Sequence, residues 1–374
     1  ARIQSMEKEL SDIKSLLRQQ INTSATKAEV DAVKKDVQVS NNQQNERESF
    51  DSKVHLGGYG QVGFSDGNST NSRFNQVQFS PIFHYQYRDD LLLEAELEME
   101  VEESGETKIG LEYLTIDWLI NDYMALVAGK FLSPLGQFRQ NLHPGWINKL
   151  PSAPSGFGHD QAAPISDVGI QLRGGIPFGD SSHVNYAVFV SNGPELELNE
   201  EGDEIEAVES AGFTRDIDGN KLFGGRIGFL PIPNVEIGLS GSVGDIALEG
   251  ESDRDYDVFG VDFYAQVAKL DIRGEYMKQE VASLSSSIAE EGQQWEAWYL
   301  QSSYKFFTSK FEAVARYSDF DSTHADQDQR QWAIGLNYLI APNAQLKLAY
   351  EFNEGLADSS NDDDNLLLQM AFGF

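Results

Sequence analysis

Residues Asn365–Phe374 read NLLLQMAFGF, and every second side chain from Leu366 through Leu368, Met370 and Phe372 to Phe374 is apolar. A period of two places these five on one face of an extended strand, with Leu367, Gln369 and Ala371 on the other. A single short alternation of this kind also fits a strand buried in a soluble core. Repetition decides between the two. Comparable segments recur about sixteen times from Lys53 onward, each with one apolar face. Strands with so many apolar faces need a hydrocarbon exterior and a closed hydrogen-bond ladder, which is the condition of a transmembrane barrel.

Composition narrows the class. The 374 residues carry a net charge of −32, yet include 22 Phe, 14 Tyr and 5 Trp, an aromatic content that separates the chain from acidic disordered sequences. No apolar run approaches the length of about 18 residues that a membrane helix needs. The absence of cysteine removes disulfides, thiolate metal sites, covalent haem attachment and thiol nucleophiles. Six histidines without HExxH-type spacing give no metal-catalytic motif, so no enzyme, metal site or cofactor is expected. Nucleic acid is excluded as a partner, because neutralising phosphates requires a basic surface. Ala1 begins no secretory signal, and any such leader is expected to have been removed.

The connections alternate in length. Tight turns at Asp89-Asp90, Asn121-Asp122, 179–182, 231–234, around Lys269, at 307–309 and at 341–343 are interleaved with long polar loops, notably 132–165, 192–221, 280–292 and 353–364. Short periplasmic turns and long external loops are the asymmetry of an outer-membrane barrel. A soluble sandwich or propeller is the competing fold, but it would leave the apolar strand faces in water. The expected architecture is an all-β, 16-stranded antiparallel outer-membrane β-barrel over residues 53–374.

The amino-terminal part obeys a different period. Ile3, Met6, Leu10, Ile13 and Leu17 are spaced three, four, three and four, an a/d seam. Thr26 and Glu29 form a capping-box pattern ahead of Val30, Val33 and Val37. Residues 1–40 are expected to form a periplasmic α-helical coiled coil with that seam as its oligomerisation face, or a single docked amphipathic helix. Residues 41–52 read as a polar linker.

Strand phase sorts lumen from lipid. Val77, Phe79, Phe83, Tyr85 and Tyr87 point outward, leaving Gln76, Gln78, Ser80, His84, Gln86 and Arg88 inward. Glu94, Glu96, Glu98 and Glu100 face the interior opposite outward Leu93, Ala95, Leu97, Met99 and Val101, and four carboxylates need water or cations. The same phasing turns Lys130, Arg173, Arg226, Arg273, Arg316 and Lys347 inward, together with Asp167, Glu236, Asp262, Glu275, Glu312 and Glu351. These charges form either a cross-strand network or a cation ladder facing the Glu94–Glu100 wall and setting up a transverse field. The segment GKFLSPLGQFRQNLHPGWINKLPSAPSGFGHD, 129–160, is too long for an ordinary connection. Phe131, Phe138, Trp146 and Ile147 give it an apolar side, and folding inward would make Arg139, His143, Lys149 and His159 filter groups. An extracellular lid or a trimer-contact loop is the alternative. In the acidic fourth loop, Asp216, Asp218 and Asn220 resemble the opening of a calcium loop, but the spacing favours a solvated surface bridged to lipopolysaccharide by divalent cations.

The GKFLSPLG segment, the aromatic last strand, the strand number and the heptad segment together resemble the porins of the phosphate-selective O/P type and the DcaP-like porins. The resemblance covers residues 53–374 as a pattern, and 129–154 as a motif. It implies a trimeric passive diffusion channel in the outer membrane whose third loop narrows the lumen, with coiled-coil extensions in DcaP-like members. It carries Lys130, Arg139 and Lys149 over as filter candidates. The acidic balance and the want of a dense lysine cluster set this chain apart from phosphate-selective members. Three functions are therefore weighed: a porin for small hydrophilic solutes or ions, a selective channel for phosphate or organic anions such as dicarboxylates, and an envelope anchor whose coil contacts peptidoglycan or a periplasmic partner.

Overall fold

Alternating side chains dominate the computed structural model, which describes residues 11, 12, 14, 15 and 35, then 52–158, 161–179, 181–307, 310–324, 327–355 and 363–374. The chain divides into two units, Ala1–Ser52 and Lys53–Phe374. In the first unit the seam residues Ile3, Met6, Leu10, Ile13 and Leu17 lie outside the described residues, as does His159 of the third loop.

The second unit is a barrel. Its strands begin with β1 (Ser52–Gly67), β2 (Arg73–Tyr87), β3 (Leu91–Val101), β4 (Thr107–Asn121), β5 (Met124–Leu132), β6 (Ser166–Phe178) and β7 (Ser182–Ser191). Two short strands, β8 (Glu195–Leu198) and β9 (Ile205–Glu209), form a separate hairpin inside the fourth loop. The barrel continues through β10 (Leu222–Ile232), β11 (Val235–Ile246), β12 (Arg254–Val267), β13 (Leu270–Val281) and β14 (Gln293–Phe306). It ends with β15 (Phe311–Ser322), β16 (Gln329–Ala341), β17 (Ala344–Gly355) and β18 (Asn365–Gly373). Among the described residues sixteen strands close into one antiparallel ladder, with β18 paired to β1 through Tyr59 opposite Gly373 and Phe64 opposite Leu368. Closure removes both sheet edges, so every ladder group finds a partner without water.

The last strand follows its alternation. Leu368, Met370, Phe372 and Phe374 are exposed on the outer surface, whereas Leu367, Gln369 and Ala371 are buried inside. The same outward rows appear on β4 as Leu114, Ile116 and Trp118, and on β16 as Trp332, Ile334, Leu336 and Tyr338. One irregularity falls where the acid wall lies. Register shifts between Glu96 and Leu97, pairing Tyr113 with Glu96 but Leu111 with Leu97, so Glu112 is the extra residue of a β-bulge on β4. The bulge leaves β3 in phase and re-aims β4.

The expectation of a wet interior holds for only part of the barrel. Phe131, Leu135, Phe138 and Phe157, on β5 and the loop after it, pack with Ile205 and Val208 of the hairpin and with inward Phe189, Tyr256, Met277, Trp295, Tyr299 and Phe320. A second, smaller group sets Leu150 of the loop against Val314, Ala333, Ala349 and Leu367. Strands β12 to β15 therefore set apolar side chains such as Tyr256, Met277, Trp295 and Phe320 among the polar and charged ones of their inner faces, where the loop covers them.

Candidate functional site: the third loop and the lumen wall

The loop between β5 and β6 crosses the lumen and is bonded to the opposite wall. Gly136 N–H donates to Ser240 Oγ at 3.3 Å, the Gln137 amide to Glu236 at 3.0 Å, and Phe138 N–H to Glu275 Oε2 at 3.0 Å. Gly136 has φ of +76°, and a β-carbon there would stand 1.7 Å from Glu275 Oε1, so glycine is required on both counts. A π-helical turn over Phe138–Leu142 follows. Further on, Ser155 N–H donates to Ser318 Oγ at 3.3 Å, and the side chains of Asn337 and Gln345 donate to the Lys149 and Trp146 carbonyls at 2.8 and 2.6 Å. Trp146 itself lies against Gly373, where an added β-carbon would come within 2.8 Å of the indole. The loop is therefore an internal element, not an external lid.

The inward cations of the far wall serve this docking. Arg316 is fully buried and donates to the carbonyls of Ser152 and Ala153 at 3.0 and 2.9 Å and to Gln331 at 2.8 Å, with Glu351 3.9 Å away. Glu351 in turn accepts from the Ser152 hydroxyl. Lys347, also fully buried, donates to the Gly145 carbonyl at 2.5 Å, the Leu150 carbonyl at 3.3 Å and Gln369 at 2.7 Å. These two residues lie beneath the loop instead of on an open ladder. Buried charges persist only with such partners, and peptide carbonyls supply them here.

The remaining cations are paired. Arg226 bridges Asp262 at 2.6 Å and Glu236 at 2.9 Å; Arg273 holds Asp271 at 2.9 Å and lies over the Tyr264 ring; Lys149 meets Glu312 at 2.6 Å. Arg173 contacts Asp117 at 2.5 Å and Glu94 at 3.5 Å. Arg139 donates to the Phe157 and Gly158 carbonyls, both at 3.3 Å, and lies within electrostatic reach of Glu98. His143 Nδ1 is bonded to the Arg139 carbonyl at 2.5 Å. Lys130 corrects the expected phase: it pairs in register with Leu114 and Val168, one step from inward-facing Phe131, and its ammonium donates to the Leu111 carbonyl at 2.8 Å. Gly129, with φ of +135°, precedes it, and a β-carbon there would stand 2.1 Å from the Leu114 carbonyl oxygen.

On the acid wall, Glu96 is buried and accepts from the Tyr59 hydroxyl at 2.8 Å. Glu94, Glu98, Glu100 and the bulge residue Glu112 are half-buried. Sequence reasoning missed Tyr59, Glu112 and the polar anchors Ser152, Asn337, Gln345 and Gln369. An inward glutamine or asparagine marks no partner until the loop's carbonyls are in place.

Two cavities flank the loop towards the short-turn end. One, of about 600 Å³, is lined by Gln137, Asn141, Arg173, Asn185, Arg226 and Glu236 among others. The other, of about 620 Å³, includes Trp146, Lys149, Arg273, Lys305, Lys310 and Glu312. At the opposite end, Asp216 accepts from Lys221 and from Gly219 N–H. Burial would raise the Asp216 carboxyl, but the Lys221 ammonium and the Gly219 N–H together hold it below the ordinary range. Asp218 is pushed up by burial and by Asp216 beside it. Asp216 is thus paired with a lysine, and among the described residues no group of three or more His, Asp or Glu gathers round one point.

Residues 242–374 match the family described as phosphate-selective porin O and P. No curated protein matches by sequence. Among solved structures, the anion-selective porin from Comamonas acidovorans superposes with a TM-score of 0.60 at 13% identity, over 86% of this chain and 100% of that one. The outer membrane channel DcaP of Acinetobacter baumannii gives 0.59 at 10% identity over 86% and 97%. The trimer form of OmpT, an outer membrane protein of Vibrio cholerae, gives 0.53 at 12% identity over 86% and 99%. The family match thus falls on the last seven strands, and the barrel as a whole has the fold of the outer-membrane porins and channels it superposes on.

Proposed function

We propose that solutes pass by diffusion through the gap between the third loop and the wall formed by β1 to β6, without chemical conversion. The observation that carries this reading is the docking of the loop on the far wall, from Ser240 on β11 to Gln369 on β18, which leaves the near wall and its carboxylates as the hydrated side. The bonded loop fixes the width of the gap, so passage is set by size and charge. Assembly as a homotrimer, as in the trimer form of OmpT, and contact of the outer surface with lipid and lipopolysaccharide complete the reading. The amino-terminal unit is assigned to the periplasm, because β1 begins and β18 ends at the short-turn end. Planar-bilayer recording tests the proposal: purified protein should give discrete conductance steps, and a protein that inserts without conducting would refute it.

A second reading has a specific support. Lys149, Arg273, Lys305 and Lys310 line one vestibule against the single carboxylate Glu312, an arrangement suited to phosphate or a dicarboxylate. Competition by such anions against ionic current, lost in a K305A/K310A variant, is its test. An envelope-anchor role rests on residues 1–49, whose deletion should then abolish the envelope phenotype while leaving conductance intact.

A further inference from the structure

The barrel brings together two of the six histidines that the sequence scatters. His55 on β1 and His84 on β2 lie near the short-turn end, His55 in the inward phase of Tyr59 and His84 in that of Gln78 and Ser80. Their Nδ1 atoms stand 3.4 Å apart, with ring centroids separated by 5.6 Å. The other side of His84 is occupied, since its Nε2 lies 3.1 Å from Glu94 Oε1. Glu94 is also steadied by Arg173, itself bonded to Asp117.

This arrangement fixes the chemistry of His84. A carboxylate accepts only, so a neutral His84 carries its proton on Nε2 and presents a bare lone pair at Nδ1. That lone pair faces the Nδ1 of His55. Two metal–nitrogen bonds of about 2.0–2.1 Å at the tetrahedral angle separate the nitrogens by roughly 3.4 Å. A carboxylate on the far nitrogen of a histidine is also the usual support of a metal-ligating imidazole. His55 is exposed, so its ring can turn onto the shared point.

We propose that His55 and His84 bind a divalent transition-metal ion of the zinc or copper class through their Nδ1 atoms at the short-turn mouth of the channel, with Glu94 as a positioning residue. Among the described residues no third His, Asp or Glu converges there, so the remaining coordination positions fall to water. The acidic interior wall favours entry of the cation.

The test uses the full-length protein in detergent, titrated with Cu²⁺ alone and followed by electron paramagnetic resonance, with Zn²⁺ competition. The expected spectrum has coupling to two equivalent nitrogens. H55A and H84A should each reduce this to one nitrogen, E94Q should weaken binding by about tenfold or more with both couplings retained, and H183A should change nothing. A wild-type spectrum without nitrogen coupling, or H55A and H84A spectra identical to wild type, would overturn the site. Conductance in metal-free buffer verifies that each variant has folded, and it judges the porin reading separately.

Discussion

A buried cation is worth what its partners make it, and Arg316 illustrates the point. Its guanidinium is planar and five-donor, and it spends those donors on two loop carbonyls, a hydroxyl and Gln331. Removing it leaves Glu351 without its counter-charge and two peptide carbonyls without their donor, a loss on the order of 3–5 kcal/mol for a buried ionic contact. That loss falls on the docking of the loop and spares the ladder of the barrel. R316A is accordingly expected to raise single-channel conductance and open-channel noise while keeping a β-sheet spectrum, and unchanged conductance would show that the loop is held elsewhere. Strand parity placed Arg316 and Lys347 inside from sequence alone, because alternation is local. It could not place them under the loop, since Ser152 lies 164 residues from Arg316 along the chain and Gly145 lies 202 from Lys347. Lys130 failed for a local reason: alternation runs unbroken through β5, and Val127 and Phe131 take its inner face, so Lys130, one step from Phe131, falls on the other.

Each strand is an element with two solvents, and the cost of exchanging them is direct. Leu300 sits near the middle of β14, exposed on the lipid face beside Tyr317. L300R should destabilise the barrel by about 2–4 kcal/mol, the cost of a basic side chain at the bilayer midplane. Reversible urea unfolding in lipid measures it, and a cost near zero would contradict the assigned face. The loop is the other element whose place can be tested covalently. Ser155 and Ser318 stand with their hydroxyls 3.3 Å apart, and the chain has no cysteine of its own. S155C/S318C should form a disulfide on mild oxidation with conductance little changed, whereas failure to cross-link would mean that the loop does not rest on β15. Strand existence was legible because lipid enforces a period of two everywhere. The loop's destination was not: Phe138, Trp146 and Ile147 announced an apolar side, but an apolar side says only that something is covered. The hairpin β8–β9 escaped for a similar reason, since its Glu-rich sequence reads as a solvated loop until Ile205 and Val208 are seen in the inner core.

At the scale of the whole molecule the question is which charges the permeating solute meets. The net charge of −32 is an overall figure, and loops outside the barrel hold much of it. Inside, the loop covers Arg316 and Lys347, and Arg226, Arg273 and Lys149 are each neutralised by a close carboxylate. Glu98, Glu100 and Glu112 remain half-buried on the near wall with fewer cations to balance them, Arg139 and Lys108 being those that act on Glu98. A gap lined on one side by unbalanced carboxylates lowers the energy of a passing cation. Reversal potentials in a potassium chloride gradient should therefore favour potassium, and E98Q/E100Q should move the permeability ratio towards chloride. The effect must also depend on ionic strength: the screening length is about 10 Å at 0.1 M and about 3 Å at 1 M, so the difference between wild type and variant should be evident at the lower salt and largely gone at the higher. A ratio that favours chloride in the wild type, or a variant that matches it at both concentrations, would place the conducting path along the paired cations and away from the β3 wall.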